Sequence, residues 1–596
     1  MHQNQTYSHL SRPAFFATVT AAILLLVLPS SCTRKLKDGD YTLQVLSTND
    51  VHGTWFDSTY VGGEPKKSLF AMKFYIDSVR TLYGKENVVL VDAGDCLQGD
   101  NATYYYNFVD TLSPHPFPRL MKYMDYDAVA AGNHDFETGH PVYDRVQEDL
   151  VKNGTPFLAG NAIRLDNGKE YFPLYKVVER AGLRIAILGY TNANIKSWIA
   201  EELYEGITFE PIINLVQKDI DKVRKKVKPD VMIVTMHSAC GQGDGTILES
   251  EALDIFNSVK GIDFLVCGHD HRPRVETRDT VALLNSGSHS RFVAHGTLKI
   301  HVEKSKVTHK EFATELIPVD ASKADPVMRE AFREEFEAVR AFTTQEIGEL
   351  TTDLHTNSSF AGMCDYMNLM HTVCLSCDPA EISIAAPLTY NGTINRGKLI
   401  FNDLFTLYPF ENQLYVVKMT GYQVKDYLEA SYDRWILTMS SPADHILNMA
   451  QRKDPMSLAN GWFLLERSYN FDSAAGINYT VDITKGRGNR INISSMADGS
   501  AFEYDRTYNV AMTSYRASGG GNLLKEAGVD SDNIGAITTA RYPEIRTIIY
   551  DYILKNGSID SEVISDPKVI GHWEFVPERM AKPAMQRDMA LLFEGR

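Results

Sequence analysis

A chain of 596 residues is too long for one hydrophobic core, and 44% apolar with 23% charged residues is the composition of folded domains, so two of them are expected. The formal net charge of −16 excludes a broad basic face and with it a nucleic-acid polymer as partner. A small anionic substrate stays open, because a metal centre supplies local positive charge that the overall balance lacks.

Arg12 precedes an apolar run from Ala14 to Leu28, broken only by two threonines, and Pro29-Ser30-Ser31-Cys32 follows. That length suits a signal-peptide core and is short for a bilayer span. Small residues directly before a cysteine resemble a bacterial lipobox, with Pro29 where an aliphatic residue is usual. Residues 1–32 therefore read as a lipoprotein signal, and Cys32 as the lipidated first residue of an extracytoplasmic chain.

From 41 to 320 strands alternate with helical stretches such as Pro65 to Tyr83 and Ile212 to Val227, an α/β pattern. Five apolar runs end in polar, chemistry-bearing residues: Ser47-Thr48-Asn49-Asp50-Val51-His52, Asp92-Ala93-Gly94-Asp95, Gly132-Asn133-His134-Asp135-Phe136-Glu137, Met236-His237 and Gly268-His269-Asp270-His271. The expectation is one site at one edge of a sheet. Residues 325–346, charged with a narrow apolar stripe and opened by Pro326, predict a single connector helix. A second, mixed α/β domain is expected over 348–576, and the tail from Pro577 shows no motif. Cys374-Leu375-Ser376-Cys377 stands alone, so it reads as a local disulfide or as packing and not as a zinc site.

The polar residues at the strand ends have the chemistry of a two-metal centre. Divalent ions of the borderline kind take Asp, Asn and His, and two ions close together need a bridging carboxylate. Asp50 and His52, two apart on a loop, can face one ion. Asp95 at its Gly-Asp turn suits the bridge, Asn133 offers a neutral oxygen, and His237, His269 and His271 offer nitrogens.

In this order Asp-x-His, Gly-Asp, Gly-Asn-His-Asp, a strand-end His and Gly-His-x-His resemble the calcineurin-like metallophosphoesterases, and more narrowly the secreted 5′-nucleotidase family. That family includes UDP-sugar hydrolases and 2′,3′-cyclic-nucleotide phosphodiesterase/3′-nucleotidases. The resemblance implies a metallophosphoesterase β-sandwich flanked by helices, then the connector, then a C-terminal substrate-binding domain. It implies two divalent ions of the Zn, Mn or Co kind, with Asp50, His52, Asp95 and His271 on one and Asp95, Asn133, His237 and His269 on the other. His271 departs from the Gln common in the family. His134 is left to stabilise charge on the transferring phosphoryl group, with Glu137 as its acidic partner where Asp is usual, and Asp135 as the competitor.

In the second domain, Tyr469-Asn470-Phe471-Asp472 and Thr513-Ser514-Tyr515-Arg516 resemble the family's two base-clamping loops, which nominates Phe471 and Tyr515. Asn391-Gly392-Thr393-Ile394-Asn395-Arg396 resembles a phosphate-contact motif whose second Gly is Thr393 here, and nominates Asn391 and Arg396. The resulting reading is a lipid-anchored, two-metal nucleotidase acting on small nucleotides. Its rivals are cyclic-nucleotide or UDP-sugar hydrolysis and, in another class, a lipoprotein that binds nucleotides without turnover.

Overall fold

The computed structural model describes residues 36–451, 461–531 and 534–594. Cys32 and the signal segment lie outside the described residues. Among those described, no helix is long and apolar enough to cross a membrane.

The first domain is built from two six-stranded sheets. In one, Gly39–Thr48, Val88–Asp92, Ala128–Ala130 and Phe157–Leu158 run parallel, and the long hairpin Phe292–Glu303/Lys306–Pro318 extends the other side. In the other, Leu183–Tyr190, Val231–Met236, Phe264–Cys267 and Ala282–Asn285 run parallel between two antiparallel edge strands. Side chains alternate across each strand and so sort into layers. Leu43, Val45, Val89 and Val91 meet Ile185, Ile187, Ile233 and Val266 between the sheets. Leu46, Val88 and Leu90 face the helix Leu69–Tyr83 on one outer side. Leu188, Met232, Val234 and Leu265 meet Ile212, Val216 and Ile220 of the helix Ile212–Val227 on the other.

The charged stretch after this domain is not one helix. It breaks at Phe332 into Pro326–Ala331 and Arg333–Thr343. The break turns Met328, Phe332 and Val339 into the first domain's core, which a straight helix with one narrow stripe does not do.

The second domain centres on a mixed five-stranded sheet in the order Ser473–Ala475, Ile382–Ala385, Thr507–Thr513, Gln413–Thr420, Thr538–Glu544. The helices Asp365–Leu375 and Gly421–Trp435 pack against it. Cys374 and Cys377 are free thiols packed in this core, so of the two readings of that pair packing is the observed one. Contacts between the domains include an Asn101–Asn402 hydrogen bond of 2.8 Å, an Arg541–Glu202 ion pair, and the Arg546 guanidinium over the Tyr104 ring. With Glu411 of the second domain in electrostatic reach of His134 of the first, the two domains face each other across a cleft.

Candidate two-metal site and substrate cleft

The five polar strand ends do converge, but not on one sheet. Gly39–Thr48, Val88–Asp92 and Ala128–Ala130 belong to the first sheet, while Val231–Met236 and Phe264–Cys267 belong to the second. All five are parallel strands whose C-terminal ends open on the same side of the sandwich. The site therefore straddles two sheets. Hydrophobic patterning defines each strand's end but carries no information on which sheet it joins.

The loops are held in costly conformations. Asp50, His52, Asp95, His269 and His271 all have φ between 46° and 79°, the left-handed region that non-glycine residues avoid. A Cβ on Gly132 would run into the Asp95 carboxylate, and one on Gly94 would lie 2.6 Å from the Gly132 nitrogen, so both turns require glycine. Asn49 fixes the first loop. Its amide nitrogen donates to Asp50 Oδ2 and to the Gly287 carbonyl, and its oxygen accepts from the Ser286 NH.

Two clusters of donor atoms result, Asp50/His52/His271 and Asp95/His237/His269. In the first, His52 Nε2 and His271 Nε2 are 2.9 Å apart and His271 Nε2 is 3.4 Å from Asp50 Oδ1. In the second, His237 Nε2 is 3.0 Å from Asp95 Oδ2. His237 donates its Nδ1–H to the Ala93 carbonyl at 2.8 Å, which leaves the Nε2 lone pair facing the carboxylate. The Asn133 side-chain oxygen is buried without a hydrogen-bond partner. Lone pairs turned on one another and an orphaned buried oxygen are what a pair of cations resolves, and Asp, Asn and His are the ligands such cations take. The residues fit the group.

His134 stays outside both clusters, with its side chain 26% exposed toward the cleft. Its backbone NH donates to Asp95 Oδ1, and its Nδ1 lies 2.5 Å from Glu137 Oε2. Burial disfavours the imidazolium, yet Asp95 and Glu137 raise its pKa to about 10. Asp135 is not a partner of His134. Its carboxylate is buried and accepts from the backbone NH groups of Asp95, Cys96, Leu97 and Gly132, so it ties two ligand loops together. Its pKa is raised to about 6 by burial and by Asp95.

Across the cleft the second domain presents aromatic rings, although not the expected pair. Phe471 is 1% exposed, stacked on Trp435 with centroids 5.1 Å apart and set edge-on against Phe360. It is a core residue. The single 3₁₀ turn Ser468–Asn470 before it leaves Tyr469 half-buried instead, 6.4 Å from Phe410 and within electrostatic reach of Tyr515. The rings at the cleft are thus Phe410, Tyr469 and Tyr515, all half-buried. Arg516 joins their two loops. It pairs with Asp472, with a closest approach of 2.6 Å, and donates to the Tyr469 and Gly520 carbonyls. Asn391, just before the strand Thr393–Ile394, and Arg396, at the turn between that strand and Gly397–Ile400, are both exposed. Asn391 accepts from Asn357, and the Arg396 NH donates to Asp353, both within the second domain.

Other residues escaped sequence reasoning. Trp198 stacks on His269 at 5.0 Å and 27°. Glu411, buried beside Arg546, has its pKa pushed up to about 8 by burial and acts on Glu137 and His134 from the second domain. Arg516 carried a signal, as a lone basic residue inside an aromatic-glycine loop, and Glu411 another, inside the string Pro409 to Asn412.

Family models match the larger part of both domains. The calcineurin-like phosphoesterase model covers residues 43–273, and the 5′-nucleotidase C-terminal domain model covers residues 341–526. The chain is a calcineurin-like phosphoesterase with a 5′-nucleotidase C-terminal domain. It is a hydrolase. The phosphoesterase is 23% identical over 633 residues to a 2′,3′-cyclic-nucleotide 2′-phosphodiesterase/3′-nucleotidase of Haemophilus influenzae, covering 94% of this chain and 92% of that one. It is 24% identical to a trifunctional nucleotide phosphoesterase of Bacillus subtilis over 90% of this chain, and spans 39% of that longer protein. Its fold matches that of a Staphylococcus aureus protein named as a 5′-nucleotidase and solved with alpha-ketoglutarate, with a TM-score of 0.72 at 20% identity over 90% and 99% of the two chains.

Proposed function

We propose that this phosphoesterase hydrolyses nucleoside 5′-monophosphates to nucleosides and phosphate, at an extracytoplasmic site to which a lipid on Cys32 anchors it. The observation that carries the reading is the ring set Phe410, Tyr469 and Tyr515 facing the donor clusters across one cleft. Phosphate hydrolysis by itself needs no such face, and stacked rings take up any base at about 1–3 kcal/mol per contact.

In this reading Asp50, His52, Asp95 and His271 hold one divalent ion, and Asp95, Asn133, His237 and His269 the other. Such ions, when bound, neutralise charge on phosphoryl oxygens and lower the pKa of water. The chain's own residues do the rest. Glu137 occupies His134 Nδ1, so the proton on Nε2 points into the cleft as a donor to a phosphoryl oxygen. Asp135 keeps the Asp95 and Asn133 loops in register.

A second reading is cleavage of 2′,3′-cyclic nucleotides and 3′-nucleotides. Thr393 in the Asn391–Arg396 motif and the similarity to the Haemophilus protein favour it. Phosphate release from 5′-, 3′- and 2′,3′-cyclic nucleotides, UDP-sugars and p-nitrophenyl phosphate, with Zn, Mn or Co supplied, separates the two. Preference for 5′-monophosphates supports the first reading, and release from cyclic substrates alone refutes it.

A further inference from the structure

One carboxylate in the cleft has no task in the account so far. Glu249 lies on the loop between the strand Val231–Met236 and the helix Ala252–Ser258. Its backbone is fixed, since its carbonyl accepts from the Ala239 NH at 3.1 Å, the Asn192 side chain at 3.2 Å and the Ser238 hydroxyl at 3.1 Å. Its carboxylate, by contrast, receives no hydrogen bond from any described residue, and the side chain is 40% exposed. The His269 Nε2 is 4.0 Å from its Oε2. On the other side it acts on the hydroxyls of Tyr469 and Tyr515. Trp198, stacked on His269, closes the wall behind it.

This carboxylate thus stands between the phosphate-handling cluster and the aromatic rings. In a nucleotide, the group between phosphate and base is the sugar. A sugar's hydroxyls are donors, and an ionised carboxylate offers only acceptors. As substrate binding sheds water from the cleft, a ribose hydroxyl takes the place of the water that the Glu249 carboxylate gives up.

We infer that Glu249 is a specificity-determining residue that accepts a hydrogen bond from the ribose 2′-hydroxyl of the substrate, so that the enzyme selects ribonucleotides over 2′-deoxyribonucleotides. The inference rests on the nucleotide reading above. A hydrogen bond to a charged partner corresponds to roughly 10- to 100-fold in affinity. A negative charge at this position also disfavours substrates carrying further phosphates.

The test compares kcat/KM for AMP and 2′-deoxy-AMP in the wild-type metal-loaded enzyme and in the Glu249→Gln and Glu249→Ala variants, with bound metal measured in each. The ratio is internal to each protein, so a general loss of activity does not imitate the effect. The expected result is an AMP preference of about 10- to 100-fold in the wild type that falls to within about 3-fold in Glu249→Ala, is intermediate in Glu249→Gln, and leaves metal content unchanged. An equal ratio in all three proteins, or no preference in the wild type, overturns the inference while leaving the nucleotide reading intact. Loss of metal in Glu249→Ala makes the residue a ligand and also overturns it. A wild-type enzyme that hydrolyses p-nitrophenyl phosphate but neither nucleotide overturns the nucleotide reading itself, and this inference with it.

Discussion

The two faces of the cleft are held in place by different means. The first-domain face is made of loops that each leave a buried parallel strand, and its donor residues are set by left-handed backbone, by Gly94 and Gly132, and by the Asp135 carboxylate accepting four backbone NH groups. The second-domain face is two loops tied by one buried pair, Arg516 with Asp472, with a third ring, Phe410, supplied by the loop before Gln413–Thr420. Geometry on the first face combines local turns at each ligand with several cross-links between loops, such as Asp135 to Asp95 and Asn49 to Ser286. Geometry on the second depends on residues far apart in the chain. In the proposed reading the first face handles the phosphate and the ring face selects the substrate.

The largest expected effect tests the first face. Asp95→Asn replaces the carboxylate proposed to bridge the two ions by a neutral amide, and should lower turnover of every substrate by at least about 10³-fold together with metal content. Metal analysis beside a p-nitrophenyl phosphate assay checks this, and normal metal with a near-normal rate would show that Asp95 bridges nothing. His134→Ala should come next. It removes a donor that belongs to neither cluster, so kcat should fall by roughly 10²–10⁴-fold while metal content stays intact. Substantial loss of metal in that variant would place His134 among the ligands. The smallest kinetic effect is expected at Phe471, behind the second face. Phe471→Ala should destabilise the protein by about 3–5 kcal/mol through the cavity left against Trp435, and change nucleotide KM only a few-fold. A large rise in KM without loss of thermal stability would return Phe471 to the substrate side.

What the sequence made legible follows the same divide. Asp50, His52, Asp95, Asn133, His237, His269 and His271 could be picked out because each follows an apolar run within a few residues. The structure brings six of them into two donor clusters and leaves the Asn133 oxygen unpartnered nearby. That these strands belong to two sheets was not legible, since every one of them is apolar on both faces. Asp135 stood as the competitor to Glu137 for His134 because spacing alone does not reveal which way a side chain turns in a short helical turn. In the second domain the loops were located but the ring was chosen two residues too late. Tyr469 and Phe471 share a loop, and only Trp435 and Phe360, more than 30 residues away, decide which of them is buried. Glu249 reaches the cleft by tertiary placement and carries no local pattern, whereas Phe410 and Glu411 stand in a Pro-Phe-x-Asn string, Pro409 to Asn412, that marks their loop.

The central claim is that phosphate chemistry belongs to the first face and base recognition to the second. The most direct test is kcat/KM of the Tyr469→Ala/Tyr515→Ala double variant on two substrates, AMP and p-nitrophenyl phosphate. Removing two stacking faces at about 1–3 kcal/mol each should lower the value for AMP by roughly 10²–10⁴-fold. The aryl phosphate, which has no base to hold, should change only a few-fold. Equal losses on both substrates would contradict the account, because the rings would then support the fold or the chemistry and not the base.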